Sequence, residues 1–455
     1  MKKRFPHSEK SSERYYLQPC FWKELSMAMD VSRPCLRNHI RKLNNCLEAR
    51  RQRKQVTIQD ILEEAWPSFK KKHYHLLGRP GLIKQVEDSI MCGKLSFGFE
   101  VYVCERCGDT CLVPHTCKSR FCAKCGKKYR EARTAKICSK LYRIPHRQFV
   151  FSVPFELRHY FRRDRKRLDI VFKAVEQTFL RLLKDKAKNK FKDEERVPGM
   201  ILFMHTFGRD LKWHPHIHAL VAERYMRKDG SLGRFSYFHF EWMRKTYMHI
   251  LIDLLGKTMG PDEKNGYRKL RRRLTAKFTS GFYVYGPQNS GMASLSSLKS
   301  LTKYVVRYSS HPPISEARIR SFDREKMTVR WFYEPHEDDT REEEDRVGEV
   351  EVCEPAEEFI KKLIIHIPDP SFPMIRYYGF YANKRKMRPK VPKLCSRYEV
   401  EQMMENLKWD RMLWRDYGYS NLWCHCGGQL KRDPKESYVP DQWDMLEFRY
   451  EMGFV

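Results

Sequence analysis

Apolar and polar positions along the chain alternate between a helical period and a strand period, and the switches mark its elements. From Thr57 the apolar stripe Ile58, Ile61, Leu62 and Ala65 has helical spacing, with Thr57 placed as its cap. An earlier stripe of Leu36, Ile40, Leu43 and Leu47 predicts a helix over 32–47. Residues 149–154 read as a short buried strand, followed by a long basic helical stretch to about Lys192. Two strand patterns, 200–207 and 214–222, flank the polar break 208–212 and predict a hairpin. A helix over about 240–255 and a strand at 281–285 come next.

Ser294 then stands as a cap before Leu295, Leu298, Leu301, Val305 and Tyr308 on one stripe, and Pro312-Pro313 ends that helix. Residues 336–351 are acidic and broken by Gly348, which suits an exposed loop or hairpin, and 359–381 returns to apolar and aromatic sequence. There is no internal repeat.

Composition adds a partner. The 455 residues hold 89 Lys+Arg against 57 Asp+Glu, a formal charge of +32. Such an excess strains a compact state unless a polyanion offsets it, so nucleic acid is the expected partner. Aromatic residues at 13% supply both core and surfaces on which bases stack. No apolar run is long enough for a membrane span, and no apolar h-region follows the basic start, so a cytoplasmic, nucleoid-associated protein is expected. Residues 1–56 are strongly basic and read either as a DNA-gripping arm or as a solvated tail.

Fifteen cysteines in clusters point to reduced thiols on metal. Cys104-Glu-Arg-Cys107 and Cys122-Ala-Lys-Cys125 are two CxxC pairs across a short basic loop, the pattern of one structural four-cysteine Zn2+ site. Cys111, His115 and Cys117 lie between the pairs, and Cys117 is the alternative ligand. Arg120, Lys118 and Lys124 surround the cluster as candidate phosphate contacts. Near the end, Cys424-His425-Cys426 has no obvious partner pair and reads either as a zinc ligand pair or as a reduced turn.

The candidate chemistry lies in the hairpin. In Trp213-His214-Pro215-His216-Ile217-His218 the two imidazoles of His216 and His218 share one strand face while Ile217 turns to the other. Two such rings are half of a metal site, or two surface histidines. Pairing of the strands brings His205 opposite the region of His216 to His218, a third imidazole for the same ion. Tyr304 and Tyr308, at i and i+4, share one helix face with Arg307 between them as a phosphate contact; amphipathic packing is the other account of the tyrosines. Together these parts describe strand transfer. A divalent metal, Mg2+ or Mn2+, neutralises charge on a phosphodiester, a tyrosine attacks, and the phosphotyrosine keeps the bond energy for rejoining.

These residues resemble the HUH superfamily, whose signature is His-hydrophobic-His followed by one or two tyrosines on a helix. More narrowly, they are similar to rolling-circle transposases of the insertion-sequence-91 type. The resemblance rests on the block ending Cys117-Lys-Ser-Arg-Phe-Cys122-Ala-Lys-Cys125, on His205-Thr-Phe-Gly208 with His214-Pro-His-Ile-His218, on Tyr304-Val-Val-Arg-Tyr308, and on Ile375-Arg-Tyr-Tyr-Gly-Phe-Tyr381. It implies an α+β fold: a central antiparallel sheet with the histidine pair on a middle strand, the tyrosine helix over it, and a small zinc-binding domain before it. It further implies that His216 and His218 bind the catalytic metal, that Tyr304 and Tyr308 are nucleophiles, and that single-stranded DNA at transposon ends and target DNA are the partners. The expected organisation is a basic extension over 1–56, a helical and zinc-binding DNA-binding domain over 57–140, a catalytic domain over 145–385, and a basic, aromatic-rich region over 386–455. Rival readings are a plasmid rolling-circle replication initiator or relaxase, and a zinc-finger DNA-binding protein without enzymatic activity.

Overall fold

The computed structural model describes residues 56–185, 196–235, 238–286, 300–301, 304–305, 308, 312–335, 348–384, 386–408, 410–411 and 421–440. The expected helix at 32–47, the cap at Ser294, and Arg307 lie outside these residues. The fold is α+β with antiparallel sheets, and no described helix is long and apolar enough to cross a membrane.

The chain opens with helices Ile58–Lys72 and Leu82–Met91. Thr57 caps the first: its hydroxyl accepts from the Asp60 N–H while Asp60 reaches back to the Thr57 N–H. A hairpin of β1 (Phe99–Cys104) and β2 (Thr110–Pro114) follows, then helix Ala123–Cys138. Strand β3 (His146–Ser152) leads into helices Phe155–Arg163 and Leu168–Asp185. The single basic helix expected there is broken at Asp164, whose carboxylate accepts from the Lys166 N–H and starts a new turn.

Strands β4 (Gly199–Phe207) and β5 (Trp213–Ala222) form the expected hairpin. Its turn is closed by hydrogen bonds from the Gly208 N–H to the Lys212 carbonyl and from the Leu211 N–H to the Gly208 carbonyl. The small ribbon β6 (Arg224–Met226) and β7 (Leu232–Arg234) precedes helices Phe240–Gly256 and Pro261–Lys277 and the short β8 (Val284–Tyr285). Beyond them come β9 (Ile319–Asp323), β10 (Thr328–Tyr333), β11 (Val350–Pro355), helix Ala356–Ile364, β12 (Ile375–Gly379) and β13 (Leu430–Tyr438).

The central sheet has the order β12-β4-β5-β3-β8, with every pair antiparallel. Its two faces are sorted by the period of two. Met200, Leu202, Met204, Ile217, Ala219 and Val221 join Phe149 and Phe151 in one core beneath helices Leu168–Asp185 and Phe240–Gly256. Ile201, Phe203 and Leu220 face the other way and pack with Leu301, Tyr304 and Val305. A second core joins the two N-terminal helices to β9–β11 and helix Ala356–Ile364 through Trp66, Phe69, Trp331 and Phe359. Arg79 and Arg165 tie this body to the central one, both donating to the Ile367 carbonyl, at 2.7 and 3.0 Å.

Contacts also cross the domain boundaries expected from sequence. β13, from the C-terminal region, pairs with β1 in a sheet of order β13-β1-β2, with Leu430 opposite Cys104.

Gly379 explains the Tyr-Tyr-Gly-Phe-Tyr run. It sits at φ 61°, and a β-carbon there would lie 1.6 Å from the Pro198 carbonyl oxygen. The neighbouring Phe380 N–H donates to that same oxygen. Gly379→Ala should therefore destabilise the fold by on the order of 2–3 kcal/mol. The shift of the urea midpoint measures it, and an unchanged midpoint would contradict the packing.

Two buried imidazoles set an acid limit. His366 bridges the Thr206 hydroxyl and the Leu211 carbonyl, and His146 bonds the Tyr381 hydroxyl. Burial lowers His146 to about 4 and His366 to about 3. The unfolded chain then binds protons that the folded chain rejects, so stability present above about pH 6.5 falls as the pH drops toward 4, by about 1.4 kcal/mol per pH unit for each ring. Urea midpoints across that window should show the slope, and a His146→Gln, His366→Gln double variant should show a shallower one, the remainder coming from His214 and His216, which burial also lowers.

Candidate active site and metal centres

The register of β4 and β5 assembles the histidines. His205 lies directly opposite His216, and Phe203 opposite His218, so the three rings project from one face of adjacent strands. Ring centroids are 4.8 Å apart for His205–His218 and His216–His218, and 5.5 Å for His205–His216. His205 is buried and the other two are half-buried. One ring nitrogen from each lies within 4.8 Å of the others.

The hydrogen bonds prepare these rings as ligands. His216 Nδ1 donates to the His214 carbonyl at 2.8 Å, which leaves Nε2 as a lone pair, 3.1 Å from Nε2 of His218. Low solvent access, with Arg158 nearby, holds His216 down to about 4, so its ring is neutral at neutral pH. Two ring nitrogens that close, with a third imidazole beside them, are a donor set suited to a divalent cation.

The tyrosine helix lies over this face. Residues 300, 301, 304, 305 and 308 are its described helical positions. Leu301 and Val305 are fully buried in the core they share with Ile201 and Phe203. Tyr308 is the tyrosine nearest the histidines: its ring is 4.0 Å from that of His218 and 5.9 Å from that of His205. Its carbonyl accepts from His205 Nε2 at 3.0 Å, pinning the helix to β4.

Tyr304 sits one turn deeper, 4.6 Å from Tyr308 and 6.2 Å from Phe203 between ring centroids. It is only 6% exposed and its hydroxyl has no hydrogen-bond partner among the described residues. Burial, with Tyr308 beside it, raises its pKa well above the ordinary tyrosine range.

The sequence reading missed Arg158. This residue of helix Phe155–Arg163 donates to the Val153 carbonyl and lies close enough to His214 and His216 to disfavour their protonation. The spacing of a basic amphipathic helix carries no sign of which arginine reaches the sheet.

The cysteines group differently from the expectation of one site holding Cys104, Cys107, Cys122 and Cys125. Cys122 and Cys125 join Cys92 and Cys117, whereas Cys104 and Cys107 join Cys424 and Cys426. The cause is the hairpin between the pairs. β1 ends at Cys104 against the segment leading into β13, while Cys122 opens helix Ala123–Cys138 beside Cys92, which ends helix Leu82–Met91. Cys117, expected as an alternative ligand, is therefore in the first cluster, with its Sγ 3.7 Å from that of Cys125; Cys92 Sγ is 3.5 Å from Cys125 Sγ.

Hydrogen bonding within the cluster divides its thiols: it lowers Cys122 and Cys125, from Cys117 first, and raises Cys117, from Cys122 first. Cys92 is a lone cysteine in sequence, so spacing alone did not reveal it. Cys111 belongs to neither cluster, and His115 faces Glu100 instead.

Of the basic residues expected around the cysteines, Lys118 is exposed, while the other two are engaged within the protein. Arg120 stacks over Tyr129 at 5.1 Å, and Lys124 donates to Gln59.

Comparisons with known proteins match two separate regions of the chain. Residues 61–153 match the family described as "Transposase zinc-binding domain", and residues 199–388 match the family described as "Putative transposase". A transposase for insertion sequence element IS801 from Pseudomonas savastanoi pv. phaseolicola is 27% identical over 324 residues, covering 68% of this chain and 73% of the relative. The putative transposase y4qJ of Sinorhizobium fredii is 22% identical over 349 residues, covering 72% of this chain and 80% of that protein. No solved structure matches the chain. The zinc-binding match contains both CxxC pairs, and the transposase match contains the three histidines and both tyrosines: the chain belongs to the transposases of the insertion-sequence-91 type and carries their N-terminal zinc-binding domain.

Proposed function

We propose that this transposase cleaves and rejoins single-stranded DNA, at transposon ends and target, through a covalent 5′-phosphotyrosine formed first on Tyr308. His205, His216 and His218 would hold Mg2+ or Mn2+, which neutralises charge on the scissile phosphate and its leaving oxygen when bound. The observation that carries this reading is the placement of Tyr308 against His218, ring on ring at 4.0 Å, beside three converging imidazoles.

The protein's own groups divide the remaining work. The Tyr308 oxygen attacks phosphorus as its proton leaves, the bond from phosphorus to the 3′-oxygen breaks, and that oxygen departs as a protonated 3′-hydroxyl. Rejoining reverses the exchange: another strand's 3′-hydroxyl attacks the phosphotyrosine and tyrosine is released. One phosphodiester is formed for each one broken, so no nucleotide cofactor is needed.

Arg158, beside His214 and His216, is placed to attract the phosphate. The carbonyls of His214 and Tyr308 fix two of the rings, so these backbone groups orient the site before DNA arrives. Tyr304, buried and hard to deprotonate, serves the second strand after the helix has shifted to expose it. In this reading residues 57–140 grip DNA through the zinc-binding part and 145–385 carry catalysis, in a bacterial cytoplasm on nucleoid DNA. The formal charge of +32 supplies the attraction to that partner.

The test is incubation of the full chain with labelled single-stranded transposon-end DNA and Mn2+, followed by denaturing electrophoresis. Wild type should give a denaturation-resistant adduct. Tyr308→Phe should reduce it by roughly 100-fold or more, while Tyr304→Phe retains a first-cleavage adduct. Equal adducts from Tyr308→Phe and wild type would reject the assignment of the first nucleophile. Loss of no adduct in the double variant would reject the tyrosine mechanism, and DNA binding without any adduct would favour a purely DNA-binding zinc protein.

A further inference from the structure

The second cysteine cluster lies partly outside both matched regions, since Cys424 and Cys426 follow residue 388. We propose that Cys104, Cys107, Cys424 and Cys426 form a second structural zinc site, a clasp that fastens the C-terminal segment to the zinc-binding domain.

Four thiolates at about 2.3 Å from a tetrahedral zinc stand about 3.8 Å from one another. Here the Sγ atoms of Cys104 and Cys426 are 3.5 Å apart, those of Cys107 and Cys424 are 3.6 Å apart, and all four lie within 4.8 Å. The first cluster has the same spacing, 3.5 and 3.7 Å. Two disulfides would instead bring paired sulfurs to about 2.05 Å.

The backbone forms the supporting shell that thiolate ligands require. The Arg106 N–H points to Cys104 Sγ and the Gly428 N–H to Cys426 Sγ, both at 3.4 Å. Each pair sits on a tight turn, closed by the Gly108 N–H to the Cys104 carbonyl and by the Gly427 N–H to the Cys424 carbonyl, both at 2.9 Å. Gly108 and Gly427 take positive φ values of 68° and 78°, the left-handed conformation that such turns need. The Cys-X-Cys spacing of the second pair is thus accommodated by its own turn.

The two knuckles are also bound to each other. The Glu105 N–H donates to the Gln429 carbonyl and the Arg106 guanidinium to the Cys426 carbonyl. The pairing of β1 with β13 continues directly from them, with Cys104 opposite Leu430. An ion here closes a loop of more than three hundred residues, since Cys107 and Cys424 are 317 positions apart. The clasp is also the more accessible cluster. Cys107 is exposed and Cys424 and Cys426 are half-buried, whereas Cys92, Cys122 and Cys125 are buried. It should therefore yield its zinc to a chelator first.

This inference stands apart from the phosphotyrosine reading, because its readout is metal content. The experiment is zinc analysis of the purified full chain and of Cys424→Ser, Cys426→Ser. The double variant should contain one zinc equivalent fewer than wild type, and adding Cys104→Ser to it should remove no more. Unchanged content in the double variant would overturn the proposal. Co2+ titration of the wild-type chain provides a measurement that no misfolded variant can confuse: the thiolate-to-cobalt absorption should saturate at two equivalents. Saturation at one equivalent would equally overturn it.

Discussion

The site depends on one register. β4 and β5 pair so that His205 faces His216 across the ladder, and the strand period of two then places all three imidazoles on one side of the sheet. A slip of one residue would drive His205 into the core occupied by Met204 and Ile217, and would bring those apolar side chains toward the tyrosine helix. The register is held by that burial. Met200, Leu202, Met204, Ile217, Ala219 and Val221 are almost fully buried beneath two helices, so any slip exposes apolar surface along the whole hairpin. The same alternation that stabilises the sheet therefore positions its chemistry.

The tyrosine helix is bound to that register at two levels. Leu301 and Val305 anchor it in the core, and the Tyr308 carbonyl receives the His205 N–H. The two tyrosines are not equivalent as a result. One turn of helix separates a ring 4.0 Å from that of a histidine from a ring whose buried hydroxyl has no partner among the described residues. Sequence spacing puts both on one face; only the depth of the helix against Phe203 distinguishes their surroundings.

The hairpin, the Thr57 cap and the face shared by His216 and His218 were legible in the sequence because each is a local pattern with a short period. Long-range closure was not. The CxxC motifs announced thiolate ligands, but the motif does not specify which pair shares an ion. The hairpin between the pairs sends Cys104 and Cys107 to a partner more than three hundred residues away, and the lone Cys92 completes the other set. The second core was hidden for a similar reason. Trp66 and Phe69 meet Trp331 and Phe359 across roughly 260–290 residues, and no periodicity within either segment names the other. Arg158 reaches the histidines through the packing of helix Phe155–Arg163 on β5, a relation equally absent from local pattern.

The proposed chemistry requires the three imidazoles beside Tyr308 to bind a divalent cation. Anomalous diffraction at the manganese edge, from crystals of the full chain soaked in Mn2+, tests it most directly. A manganese peak bounded by ring nitrogens of His205, His216 and His218, on the side of the sheet that Tyr308 covers, is the expected result. Manganese bound elsewhere, with no peak among these rings at saturating Mn2+, would contradict it.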